Sequence, residues 1–138
     1  MTKTNKAVEL SKAVSSRFGL EALDCADWSE LELFGGIGMD RSTFCAIANA
    51  AIEQGDKQVV IYELETTRVE FEPVSIDLNF ASFNQLKGSA ISHFDMVMIP
   101  PSKAWVALLT NELETFVCGA PHFLSDITSN LPADNPTA

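Results

Sequence analysis

Ala104-Trp105-Val106-Ala107-Leu108-Leu109, followed after four residues by Glu114-Thr115-Phe116-Val117-Cys118-Gly119, is the stretch on which the fold turns. The first run is apolar at both odd and even positions, which predicts a central strand covered on both faces. Asn111-Glu112 is a connection short enough for a hairpin, so the two runs should pair antiparallel. Gly119 ends the second strand. Pro121 then opens a helix, because it lacks an N–H that the first helical turn would leave unpaired anyway. Phe123, Leu124 and Ile127 supply that helix's apolar contacts.

Working back from the hairpin, His93 to Ile99 reads as a strand stopped by Pro100-Pro101. Residues 81–90 read as a loop. Ser75 to Phe80 alternates through Ile76, Leu78 and Phe80, and Arg68 to Glu72 alternates through Val69 and Phe71; both predict strands. Pro73 between them cannot donate to a ladder and marks an edge or an interruption. Glu65-Thr66-Thr67 is a turn, and Gln58 to Leu64 is rich in β-branched and aromatic residues, as strands are.

Nearer the start, Ser29-Glu30-Leu31-Glu32-Leu33-Phe34 alternates polar with apolar and predicts a half-buried strand. Asp40 or Ser42 caps a following helix whose stripe is Phe44, Ile47, Ala48, Ala51 and Ile52, and Gly55 ends it. Residues 5–18 predict another helix through Ala7, Leu10, Val14 and Phe18; Leu20 to Asp27 is open between short helix and loop. The expected fold is α+β: a mostly antiparallel sheet of five to six strands with helices packed on one face. Residues 1–130 form a single domain, and 131–138, with two prolines, form a flexible tail.

A chain of 138 residues with 46% hydrophobic residues can bury a sufficient core without disulfides or metal. No run approaches the ~18 consecutive apolar residues of a spanning helix. The polar start, Met1 to Lys6, is followed by no signal-like apolar stretch. Cys25, Cys45 and Cys118 are odd in number, widely spaced and set among apolar neighbours, as reduced core cysteines are. A cytoplasmic location is expected.

Charge is the unusual bulk property. Nineteen acids against nine bases give a net charge of −10. Glu21, Asp24, Asp27, Glu30, Glu32 and Asp40 lie between Phe18 and Asp40 with no Lys or Arg among them, and no base follows Ala104. Such a surface repels nucleic acid and anionic membranes, and it attracts a basic protein.

Four constellations invite chemistry, and each has a structural reading that weighs more. Gly35-Gly36-Ile37-Gly38 between strand and helix has the layout of a phosphate-binding turn. Arg41 holds the place of the third glycine, no Lys-Ser/Thr pair follows, and Asp40 would repel an anion, so a structural turn is expected. Cys118 with His122 or His93 suggests a thiol nucleophile, but apolar neighbours point to a core cysteine. Those residues with Cys25 form no metal-ligand spacing, so no metal and no cofactor are expected. Glu63, Glu65, Glu70 and Glu72 lack the pattern of a calcium loop and read as a solvated strand face. Trp105 belongs in the core. Trp28, among Asp24, Asp27, Glu30 and Glu32, is either an anchor for a cationic partner or a lid over the core.

The run Phe94-Asp95-Met96-Val97-Met98, then Ala104 to Leu108, Glu114 to Gly119 and Pro121-His122-Phe123-Leu124, resembles small bacterial toxin-immunity proteins. In several of those, a Trp-bearing strand and a hairpin lead through a glycine into a short closing helix. The resemblance lies in the C-terminal third and carries no catalytic residues over. It implies a cytoplasmic protein that binds and blocks a toxin. The expected function is therefore a non-enzymatic inhibitor of a basic partner, docking through Asp24, Asp27, Trp28, Glu30 and Glu32, with Glu70 and Glu72 second. The alternatives are an acidic, dimeric secretion chaperone or adaptor for a secreted effector and, behind it, a ligand-binding domain or enzyme using the Gly35–Gly38 loop. The sequence sets no oligomeric state.

Overall fold

The computed structural model describes Glu9, Lys12 and residues 28–36, 39–63, 73–86, 95–110 and 114–131. Its strands are β1 (Ser29–Phe34), β2 (Gln58–Glu63), β3 (Val74–Asp77), β4 (Met96–Ile99), β5 (Trp105–Leu109) and β6 (Glu114–Gly119). They form one sheet in the order β1-β6-β5-β4-β2-β3, and every neighbouring pair is antiparallel. Three helices have described bounds: α1 (Arg41–Glu53), α2 (Phe80–Gln85) and α3 (Pro121–Asn130). This is the α+β architecture the sequence implies. The expected strand at 68–72, its preceding turn and the ambiguous segment 20–27 lie outside the described residues. So does the N-terminal helix, apart from Glu9 and Lys12, which are both helical.

The β5–β6 hairpin forms the centre of the sheet. Trp105 stands opposite Gly119, Ala107 opposite Val117 and Leu109 opposite Thr115. All five residues of β5 are buried, as a strand apolar on both parities requires. Thr110 closes the turn with its backbone N–H to the Glu114 carbonyl at 2.9 Å, and its hydroxyl accepts from the Glu114 N–H at 3.0 Å.

Helices cover one face. Leu33, Ile61, Met96, Met98, Trp105, Leu109 and Val117 belong to the same buried cluster as Phe44, Ile47 and Ala51 of α1 and Phe123 and Ile127 of α3. The Phe123 ring stacks on Trp105 at 5.4 Å between centroids. Gly119 permits this approach, since a Cβ there would press on the Phe123 ring at 3.1 Å and on the Trp105 Cβ at 3.2 Å. Pro121 sits in the first turn of α3 without a side-chain cap. Leu131, where the expected tail begins, is half-buried against this core.

α1 begins where Asp40 accepts from the Thr43 N–H at 2.8 Å and ends at Gln54, with Gly55 following at φ +101°. Ile52 departs from the expected stripe and is 49% exposed. It sits in the last turn of the helix, while Ala48 and Ala51 remain buried.

Two corrections concern residues 75–90. The strand ends at Asp77 instead of Phe80, and α2 starts at Phe80 and runs to Gln85, into the expected loop. Asn79 caps α2 by accepting from the Ser82 N–H at 2.8 Å. Phe80 and Phe83 then meet Phe44, the Phe83 ring stacking at 4.5 Å. A six-residue helix is marginal alone; this aromatic contact and its cap hold it.

The second face is also buried at its centre. Tyr62, Val97, Ile99, Val106, Leu108 and Cys118 form a cluster against which Trp28, Val60 and Phe116 pack. Both faces of the central strands are therefore withdrawn from water, and the polar positions of the sheet collect toward its edges.

Candidate functional site

One edge of the sheet carries the site. β1 pairs with β6 through six consecutive residues: Glu30 opposite Cys118, Glu32 opposite Phe116 and Phe34 opposite Glu114. Side chains alternate along a strand, so Glu30, Glu32 and Phe34 share the second face, while Leu31 and Leu33 point to the helix-covered core. The register adds Glu114 to the face that bears Glu30 and Glu32. Glu30 is exposed, Glu32 and Glu114 are half-buried, and Phe34 is 58% exposed.

Three carboxylates thus lie on neighbouring strand positions. Diagonal neighbours across such a pair sit roughly 7–8 Å apart, close enough for their potentials to add. None of the three carries a salt bridge among the described residues. Trp28, at the head of β1, is half-buried against the cluster on the second face. It is a lid over that face, not over the helix–sheet core.

Of the expected partner-binding residues, the structure brings together Trp28, Glu30 and Glu32. Asp24, Asp27, Glu70 and Glu72 lie outside the described residues. Glu114 was not legible as a member, because which face it shares depends on the β1–β6 register between strands far apart in sequence. Glu63 contradicts the solvated strand face expected of it. It is buried opposite Met96, on the helix-covered side.

Of the other constellations, Gly38, Cys25, Glu65 and His93 lie outside the described residues, and the described members have structural roles. Gly35 and Gly36 are buried, with φ of +129° and +51°. A Cβ on Gly36 would overlap the Thr110 carbonyl oxygen, and one on Gly35 would come within 2.6 Å of Met39 Cα. The glycines let β1 turn tightly against the β5–β6 connection. Asp40 occupies the N-terminus of α1, the place an anion would take. Cys118 is buried within the sheet while His122 is exposed on α3. Among the described residues no three His, Cys, Asp or Glu side chains gather as a metal site. A shallow depression of about 280 Å³ lies between the α1–β2 loop and the β4–β5 connection, lined by Gly55, Asp56, Lys57, Gln58, Pro101 and Ser102. Its one buried charged group, Asp56, engages Trp105.

Fold and site together define an α+β protein with a fully antiparallel six-stranded sheet and an acidic outer strand. No family model, no curated protein and no solved structure matches the chain. No helix among the described residues is long and apolar enough to cross a membrane.

Proposed function

We propose that this chain is a non-enzymatic binding protein whose acidic strand edge meets a basic protein partner, in the manner of an immunity-type inhibitor that occludes a cationic toxin in the bacterial cytoplasm. The observation that supports it is the grouping of Glu30, Glu32 and Glu114 on one face with no salt bridge to neutralise them among the described residues. A net charge of −10 extends that potential over the molecule. Charges of this kind steer a partner into place and raise the association rate more than they deepen the bound state. Phe34 and the open part of Trp28 add apolar contact beside the acids, where binding energy concentrates.

Co-production with the protein encoded by the adjacent gene tests the reading. If that neighbour is toxic, the chain should restore growth and bind it with a rate that falls as salt rises. The double reversal D27K/E30K should slow association and flatten its salt dependence. Undiminished binding by that variant would reject the acidic surface as the docking site.

A further inference from the structure

We infer that β1 is an acceptor edge for an added strand, supplied by a basic partner in which Lys or Arg alternates with apolar residues. The inference rests on the acidic-face reading above and gives it a binding geometry. The sheet ends at β1: β6 occupies one side, and no described strand pairs with the other. Alternate residues along its ~20 Å length therefore turn N–H and C=O groups outward with no strand partner among the described residues.

The two ends of the sheet differ. β3, at the far end, has four residues and follows Pro73, a combination that blunts pairing. β1 has six residues, no proline, no lysine and an unbroken register with β6. Among the described residues its protection is charge alone, and charge of one sign is selective. Two copies paired antiparallel about Leu31 would set the carboxylates of each against those of the other, which is destabilising. A strand with cations at alternate positions reverses that sign. Its Lys or Arg residues would face Glu30 and Glu32, its apolar residues would cover half-buried Leu31, and an aromatic residue at its start would meet exposed Phe34.

The probe is the peptide amide Tyr-Val-Arg-Val-Arg-Thr, written for antiparallel pairing from Phe34 to Ser29. Two derivatives carry backbone N-methyl groups, one on both valines and one on both arginines, so charge and side chains are unchanged. In an added strand only one of these sets faces β1. One derivative should bind about tenfold more weakly than the other, and the parent peptide should slow exchange of the outward amides of β1. Affinities of the two derivatives within about threefold of each other, both reduced by E30K/E32K, would overturn strand addition and leave the acidic-face reading standing. Absence of parent-peptide binding at ~1 mM overturns strand addition as well, while growth rescue by the full chain continues to judge the acidic-face reading separately.

Discussion

The indole N–H of Trp105 donates to Oδ2 of Asp56 at 3.1 Å, tying the middle of the sheet to the loop that leaves α1. Both side chains are buried, Trp105 completely. The Asp56 backbone N–H in turn donates to the Ala51 carbonyl at 3.1 Å. One residue thus fixes the helix end and satisfies the largest donor of the core.

Asp56→Ala should destabilise the protein by about 1–3 kcal/mol, because the indole N–H stays buried without its acceptor. Asp56→Asn keeps an acceptor and should recover most of that loss. Urea unfolding of these variants with Trp105→Phe completes a double-mutant cycle. A coupling energy near zero would show that the pair contributes no more than its packing.

Gly36→Ala should cost more than Gly55→Ala. Both residues have positive φ, a strain of about 1–3 kcal/mol for a residue with a Cβ. At Gly36 the added methyl also overlaps the Thr110 carbonyl, whereas at Gly55 it meets nothing within 4 Å. Thermal unfolding of the two variants side by side gives the comparison; equal losses would mean that the β5–β6 turn yields freely.

Asn79→Ala should cost about 1 kcal/mol by removing the cap of α2, and Asn79→Asp should be nearly neutral. Near-ultraviolet dichroism should register the alanine variant through the Phe44–Phe83 stack that α2 positions.

How far the sequence carried can be judged from such elements. The β5–β6 hairpin and α1 were readable because local signals agree there: apolar parity, a short connection, an Asp cap and a terminal glycine. α2 was hidden because Ile76, Leu78 and Phe80 continue a strand's alternation through the point where the backbone turns. The signal that could have found it is Asn79 followed by Phe80, Phe83 and Leu86, a cap with three-residue spacing. In the site, Glu30 and Glu32 were legible as alternating acids on one strand. Glu114 was not, since only the pairing of β1 with β6 sets it on their face. Glu63 misled for a related reason: strand alternation tells which residues share a side, but not which side the helices cover.

Tyr62 gives a prediction in alkali. Burial raises its phenol above the ordinary value of 10.0. The folded state thus favours the protonated form. Its contribution to stability is whole below pH 10 and declines as pH rises through the higher folded value. Tyr62 is the sole tyrosine, so tyrosinate absorbance reports it directly. Titration of the folded protein should lag that of the urea-unfolded chain, and Tyr62→Phe should lessen the loss of stability in alkali. Coincident titration curves would remove the burial argument.

One outer strand of the sheet is held in place by the last described strand. β1 lies near residue 30, yet its partner β6 ends only at Gly119. A ribosome must therefore deliver the chain through β6 before Glu30, Glu32 and Glu114 can stand together. Until then the early segment has no platform on which to display its acids. A partner that reads that edge would pass over a chain still lacking the β5–β6 hairpin, so that capture begins only after its synthesis.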